Sequence, residues 1–232
     1  MGQTVHDLSN LRIETPPITL RAMALERLRR AIISGVFQPG QRLVERTLCD
    51  QLGVSRSVIR EVIRHLDSEG LVTTEGQGPV VARLAWDDAR QIYEIRAALE
   101  SAAVEACARV ADAEVTARLR AAVGEIEQRA ADGDWMAVLT ATEQFYDIIF
   151  TTGGHSVAGE IVRRLNGRIA QLRVLTLGSE NRKVTGPRRI REIFEAIAAN
   201  RAADAGTACR AHIGEACAIA ERLLAGQPSE TT

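Results

Sequence analysis

The stretch LRRAIISGVFQPGQRLVERTLCDQLGVSRSVIREVIRHLDSEGLV, residues 28–72, decides the fold of the N-terminal part of the chain. Apolar residues recur there at helical spacing until Gly35, which predicts a first helix. A second short helix is expected over residues 45–52, and Ser55 is a suitable N-cap for a third helix that ends near Ser68. Two short helices joined by a tight glycine turn predict a helix-turn-helix, whose second helix enters the major groove of DNA.

Two short β-prone runs follow this stretch, at residues 71–74 and 79–82, with Glu75-Gly76-Gln77-Gly78 between them. They predict a small β-hairpin, which is the wing of a winged helix-turn-helix domain over residues 20–84. Residues 1–19 lack sustained periodicity, so we expect them to form a mobile arm.

Residues 85–226 differ in composition from the preceding part, because alanine becomes dense and helical periodicity continues almost without interruption. This pattern predicts a C-terminal antiparallel all-α bundle, followed by a short tail over residues 227–232. The chain as a whole is therefore expected to be mainly α. The predicted helices of the bundle span residues 87–110, 113–131, 134–152, 156–177, 187–200 and 203–225.

Charge is unevenly distributed along the chain of 232 residues, whose formal net charge is -1. Residues 1–86 contain 11 arginines and nine acidic residues, whereas the remainder contains 18 basic and 21 acidic residues. Within residues 20–64 there are nine arginines and four acidic residues, a net charge of +5. Any interaction with a polyanion therefore depends on this local cluster of arginines and not on the overall charge.

The sequence also disfavours two classes of protein. It contains no stretch of about 18 apolar residues and has a polar start, which predicts a cytoplasmic protein without membrane contact. A glycine-rich phosphate loop, a G-x-S-x-G motif and an H-E-x-x-H motif are absent from it, so we do not expect an enzyme.

The third predicted helix carries Arg56, Arg60 and Arg64 at four-residue spacing. Side chains four residues apart lie on the same helix face, so these arginines form one cationic stripe. Ser55 and Ser57 add short hydrogen-bonding groups near the helix N-terminus, where the helix dipole also favours a phosphate. Since arginine can bind a guanine edge with two hydrogen bonds, the stripe predicts contact with double-stranded operator DNA. The alternative is a solvated helix face without a partner.

Three motifs in residues 28–72 resemble the N-terminal domain of GntR-type bacterial transcription regulators. They are I-x-x-G-x-x-x-P-G, L-x-E-x-x-L-x-x-x-L-G-V-S-R and R-E-x-x-x-x-L-x-x-E-G-L, and together they are restrictive. The resemblance implies operator contacts at the matching arginines, at the small hydroxyl residue and at the wing glycine. For the wing glycine, the alternative is that it only forms the turn of the hairpin. With Ser55 and the residue before the wing glycine, the expected DNA-binding residues are Arg46, Ser55, Arg56, Ser57, Arg60, Gln77 and Gly78.

The helical half resembles the FadR-like branch of this family, which carries an FCD-type effector domain. The resemblance rests on residues 92–108, 142–155 and 190–212 and on the alanine-rich helix that continues beyond them. It implies an antiparallel helical bundle around a pocket for a small molecule, often a carboxylate metabolite. It also implies that the protein acts as a homodimer.

Many FCD-type domains hold a divalent metal with an aspartate, a histidine four residues later and two further histidines. Phe145 aligns the chain with this pattern, and the four matching positions are Thr142, Tyr146, Ile190 and His212. Only His212 is a metal-ligating type, and one imidazole without a carboxylate is a poor site for a tightly held cation. We therefore expect no metal and no other cofactor.

The same four positions are expected to line an effector pocket, because hydroxyl, phenol and imidazole groups can hydrogen-bond to an organic ligand. Arg96, in the R-x-x-L-E motif, can bind a carboxylate, with a structural ion pair to Glu100 as the alternative. For His212 the alternative is a buried core histidine. The expected effector-binding residues are Arg96, Thr142, Tyr146, Arg173, Ile190 and His212.

Taken together, these patterns predict a sequence-specific DNA-binding repressor whose affinity for its operator is modulated by a small-molecule effector. Residues 73–90, which join the wing to the bundle, are expected to carry the coupling. The alternative is a constitutive regulator whose helical domain only dimerises. An enzyme fused to the DNA-binding module, as in an aminotransferase-like branch of the family, needs a domain of several hundred residues and a lysine for its pyridoxal cofactor. The only lysine here is Lys183, in a stretch expected to be a loop.

Overall fold

The computed structural model describes residues 19–76, 78–177 and 180–225 of the chain. The predicted arm up to residue 18, the predicted tail and Gln77 lie outside the described residues. The elements are α1 (Leu20–Ile33), α2 (Glu45–Leu52), α3 (Arg56–Ser68), β1 (Val72–Glu75), β2 (Gly78–Val81), α4 (Trp86–Val110), α5 (Ala113–Ala131), α6 (Trp135–Thr152), α7 (Ser156–Arg164), α8 (Asn166–Leu177), α9 (Glu180–Ala198) and α10 (Ala202–Leu224). They confirm the mainly helical fold with one small antiparallel sheet.

The turn between α2 and α3 forms where the sequence predicted it, for local reasons. Gly53 ends α2 with a φ of 66°, in the left-handed region that glycine adopts without steric cost. The Ser55 hydroxyl accepts a hydrogen bond from the amide of Val58 at 3.4 Å, which caps α3. The apolar side chains of α3 then recur at helical spacing and are buried in the N-terminal core: Ile59, Val62, Ile63 and Leu66.

The wing pairs with a chain segment that the sequence did not predict to contact it. β1 and β2 pair antiparallel and agree with the predicted runs to within one residue. Residues 40–43 lie along β2, where the amide of Leu43 donates to the carbonyl of Pro79 at 2.8 Å and Arg42 forms a β-bridge with Val80. The segment that precedes α2 is therefore held against the wing.

The single helix predicted over residues 156–177 is wrong, because the structure has two helices there. α7 ends at Arg164 and α8 begins at Asn166, with a turn between them. The break directs α8 toward the N-terminal module, and a Cβ on Gly167 would lie 2.7 Å from Cγ of Leu71. Asn166-Gly167 at the break is a dipeptide typical of turns, but Ile161, Leu165 and Ile169 keep a four-residue spacing through it, so the periodicity alone predicted one continuous helix.

The start predicted for the next helix at residue 187 is also wrong, because α9 begins at Glu180. The prediction treated the stretch from Gly178 to Gly186 as a separator between two helices, because glycines typically interrupt a helical pattern. In the structure Pro187 lies inside α9, and Lys183 is helical rather than in a loop. The Thr185 hydroxyl donates to the Glu215 carboxylate of α10, so contact with α10 supports the extra helical turns.

Two buried hydrophobic clusters form the cores of the N-terminal module, α1 to β2, and of the bundle, α4 to α10. Leu139 of α6 and Ala170 of α8 belong to the N-terminal cluster although bundle helices carry them. The two parts of the protein therefore pack directly on each other, in addition to being joined by the chain between β2 and α4.

Candidate DNA-binding surface and ligand cavity

Exposed arginines and serines surround the N-terminus of α3. Arg46 of α2 and Arg56 of α3 are exposed, and neither forms an ion pair within the described part of the chain. Ser55 and Ser57 are also exposed, and their hydroxyl oxygens lie 2.8 Å apart in a hydrogen bond. This end of α3 therefore presents cationic and hydrogen-bonding groups to solvent, which suits the edges and phosphates of a DNA duplex.

Arg60 differs from the other predicted DNA contacts because it is already paired. Its Nε lies 3.0 Å from Oε2 of Glu45, and the arginine side chain is 60% exposed. Exposed ion pairs of this kind contribute little to stability, since water competes for both partners. Arg60 can therefore exchange its carboxylate partner for DNA at small cost.

The wing places a further arginine beside its tip, one that the sequence reasoning did not single out. Gly78 has a φ of 115°, a conformation that side chains other than glycine rarely adopt. A Cβ on Gly78 would lie 3.5 Å from Nη2 of Arg42, so the exposed guanidinium of Arg42 adjoins the wing. The only signal for Arg42 in the sequence was its membership of the arginine cluster, because the pairing with Val80 that positions it is not local.

A partly open cavity of about 40 Å³ lies between the helices of the bundle, which is room for about three water molecules. Its walls come from α4, α5, α6, α8, α9 and α10. The remainder of the lining is mainly apolar and includes Ile126, Val138, Leu139 and Ala216. Five of the six predicted effector-binding residues line it, namely Arg96, Thr142, Arg173, Ile190 and His212.

Tyr146, the sixth predicted residue, lies next to this lining. The guanidinium carbon of Arg173 is 6.0 Å from the centre of the Tyr146 ring, and the Tyr146 hydroxyl is 3.9 Å from Sγ of Cys209. Burial raises the pKa of Tyr146 well above its usual value, because the phenolate would be desolvated. The phenol therefore stays protonated and can act only as a neutral hydrogen-bonding group.

Arg96 and Glu100 form a buried ion pair one turn apart on α4. Nε of Arg96 lies 2.7 Å from Oε1 of Glu100, and the two side chains are 2% and 1% exposed. Burial by itself would lower the pKa of Arg96, but the attraction of Glu100 outweighs it and the pKa is raised. The structural ion pair considered for Arg96 is therefore present, and the same arginine also lines the cavity.

Arg173 of α8 is the second cation of the cavity. None of the described residues forms an ion pair with it. Burial lowers the pKa of Arg173, and so does repulsion by Arg96, because both disfavour a second positive charge in this place. The charge of Arg173 thus lacks a close counterion, in contrast to that of Arg96.

Two family profiles match the chain over most of its length. The family of bacterial regulatory proteins called the gntR family matches residues 20–81, and the FCD domain matches residues 91–215. The chain is a GntR-family regulator with an FCD domain. It is accordingly a DNA-binding transcription regulator and not an enzyme, as the sequence predicted. None of the helices within the described ranges is long and apolar enough to span a membrane.

Relatives of this GntR-family regulator support the assignment. It is 29% identical to YdhC of Bacillus subtilis (strain 168), an uncharacterized HTH-type transcriptional regulator, over 85% of this chain and 89% of that protein. It is 38% identical to the gluconate operon transcriptional repressor of the same organism over 32% of this chain and 30% of the relative. A solved GntR transcriptional regulator from Rhodococcus sp. RHA1 superposes with a TM-score of 0.74 at 26% identity, covering 90% of this chain and 99% of that one.

The metal set of FCD-type domains does not fit the residues of this regulator. Ile190 has no donor atom, the phenol of Tyr146 stays protonated, and the Thr142 hydroxyl donates to the carbonyl of Val138 at 2.7 Å. Only His212 offers a metal-ligating group, and the ranges that the structure describes contain no cluster of three or more His, Cys, Asp or Glu side chains suited to a metal ion. We assign no metal-dependent step to this cavity.

Proposed function

We propose that this GntR-family regulator is a repressor that binds a palindromic operator as a homodimer and releases it when a small organic acid occupies the bundle cavity. One observation carries the proposal: Leu139 belongs both to the lining of the cavity and to the core of the DNA-binding module. A ligand in the cavity would therefore contact a side chain on which the winged helix-turn-helix packs.

Operator recognition is supported by the exposed groups at the N-terminus of α3. Arg56 and Ser57 are in position to contact base edges when α3 enters the major groove. Arg46 on α2 and Arg42 at the wing are suited to the flanking phosphates, which position the protein without reading sequence. Two such modules in a homodimer match a palindrome, because the two-fold symmetry of the protein is mirrored in the half-sites.

Coupling between the cavity and the operator is supported by a shared wall. Leu177, like Leu139, lines the cavity and packs against the N-terminal cluster. An effector can shift the protein between operator-binding and released forms only by binding one form more tightly. Contact with Leu139 and Leu177 could give the effector different affinities for the two forms. This route is in addition to the one through residues 73–90 that the sequence suggested.

The proposal includes a direction: effector binding lowers the affinity of the protein for its operator. Support comes from the similarity, over 74 residues, to the gluconate operon transcriptional repressor. An effector that binds the released form more tightly than the operator-bound form would lower operator affinity. The opposite response, tighter operator binding with effector, would contradict the sign and leave the rest of the proposal in place.

The test uses the full-length protein and duplexes from its own promoter region. A panel of small carboxylic acids is screened for thermal stabilisation, since a ligand that binds the native state raises its stability by mass action. Each stabilising acid is then added to the operator complex, and we expect operator affinity to fall by about 5- to 150-fold. If the bundle only dimerises, no acid will change the operator affinity, and the proposed regulation is wrong.

Replacing Arg56 by alanine is expected to weaken operator binding by about 1–3 kcal/mol and to reduce discrimination against a scrambled duplex, because a bidentate base contact is lost. Fluorescence anisotropy with both duplexes at one salt concentration measures this. Arg118→Ala, which removes an exposed arginine of α5 in the bundle, is the matched control and should bind as the wild type does. An equal loss on both duplexes would reject the base contact.

Replacing Arg42 by alanine is expected to weaken binding to operator and scrambled DNA by similar factors, because a phosphate contact carries no sequence information. The plot of log K against log salt should become less steep by about 0.9, the contribution of one neutralised phosphate. Arg42→Lys keeps the positive charge and should keep most of the slope. A loss confined to the operator would show instead that Arg42 reads a base.

A further inference from the structure

The cavity contains a cation of its own where the family pattern implies a metal. Three of the four positions that match metal ligands, Thr142, Ile190 and His212, line it together with Arg173. A metal in such a domain supplies positive charge to a ligand carboxylate. In this chain the metal donors are largely replaced, while a guanidinium lies in the same lining.

We propose that Arg173 replaces the metal as the carboxylate-binding cation, and that the effector is a small organic acid with a single negative charge. This inference rests on the proposed function, because it concerns the cavity through which the effector acts. A guanidinium is well suited to bind the effector carboxylate, since its planar N–H groups donate two parallel hydrogen bonds to it.

The charges that surround the cavity select a monoanion. Arg96 and Glu100 pair at 2.7 Å, whereas Arg173 has no ion-pair partner among the described residues and is attracted by Glu100 and Glu143 only from beyond ion-pair distance. The next carboxylate along α6, Glu143, lines a separate cleft against α1 rather than this cavity. One carboxylate on the ligand can pair with Arg173, whereas a second carboxylate would be buried without a counterion.

The shape and polarity of the cavity select a short aliphatic acid. The volume of about 40 Å³ corresponds to about three water molecules, which favours a small ligand. In the same lining, Ile126, Val138 and Ile190 offer alkyl surface to a short hydrocarbon tail. Propionate has the required charge and size, and it serves as the probe.

An arginine of the cavity lining that has no ion-pair partner among the described residues also predicts a behaviour that a purely structural arginine would not show. Burial and repulsion by Arg96 both disfavour the charge of Arg173 in the free protein, and the pKa of Arg173 is lowered for that reason. Replacing it by glutamine should therefore raise the melting temperature of the free protein while abolishing stabilisation by propionate. Loss of a structural contact would lower the melting temperature instead.

The experiment measures propionate binding to the full-length protein by calorimetry and thermal shift in the presence of EDTA. Propionate should bind at least tenfold more tightly than succinate and than propionamide, its neutral isostere. Arg173→Gln should weaken propionate binding by about 10- to 100-fold, and Arg173→Lys by less. Arg168→Gln is the control on the same helix, because Arg168 pairs with Asp88 at 3.2 Å and does not line the cavity.

Four outcomes would overturn the inference. They are unchanged propionate affinity in Arg173→Gln, loss of binding in EDTA, equal binding of propionamide, and no binding of acetate, propionate, butyrate or lactate at about 10 mM, where a millimolar ligand approaches saturation. The proposed function fails separately. If a compound of another class still releases the operator, regulation through the bundle stands and only the assignment to a monoanion is lost.

Discussion

Glu100→Ala is expected to lower the free energy of unfolding by about 3–5 kcal/mol, the largest effect of any substitution considered for this regulator. Arg96 would then be buried without its counterion, and no other carboxylate in the described ranges is ion-paired with it. Chemical denaturation monitored by circular dichroism measures the change. The reason is electrostatic: the interior that excludes water from this pair also makes a lone charge there expensive.

The bundle provides a matched control for this prediction. Glu125 and Arg129 have the same four-residue spacing on α5 and the same 2.7 Å separation, but both side chains are exposed. Glu125→Ala should therefore change stability only slightly, because water solvates the arginine that remains. Comparable losses in the two variants would show that burial of the Arg96–Glu100 pair is unimportant.

Leu139→Ala is expected to have two effects, one on stability and one on regulation. Truncating this buried leucine should cost about 2–5 kcal/mol of stability, since a cavity opens at the contact between bundle and DNA-binding module. It should also shrink the factor by which saturating effector weakens operator binding, because the shared wall is removed. Using saturating effector separates this coupling factor from any change in effector affinity.

Leu119→Ala is the matched control for the regulatory effect. Leu119 is fully buried on α5 and belongs to the bundle core, but it neither lines the cavity nor packs on the N-terminal module. The variant should lose a similar amount of stability and keep the coupling factor of the wild type. If Leu119→Ala and Leu139→Ala reduce the coupling equally, general loosening of the bundle explains the effect and the shared wall does not.

Local chemistry explains why the helix-turn-helix was predictable and two later elements were not. The turn at Gly53 and the cap at Ser55 are decided by residues adjacent in sequence. The break before Asn166 depends instead on the approach of α8 to the N-terminal module, and the early start of α9 depends on contact with α10. Neither contact is visible in periodicity.

The residues of the candidate site were also only partly predictable from the sequence. The exposed arginines of α3 follow from helical spacing, whereas the lining residues of the cavity were reached through the resemblance to FCD-type domains. Arg42 was missed because its neighbour Val80 lies far along the chain. The shared wall at Leu139 was missed because an apolar residue gives no indication of which of two cores it joins.

The fit between Gly167 and Leu71 limits which winged helices can be recombined onto this bundle. With Cγ of Leu71 only 2.7 Å from where a Cβ on Gly167 would lie, the two halves interlock at a point with no space for a larger residue. A chimera carrying the winged helix-turn-helix of another regulator would need a leucine-sized or smaller residue at position 71 and glycine at position 167. Without that match, the two parts of the chimera could not pack as closely as Leu71 and Gly167 do here.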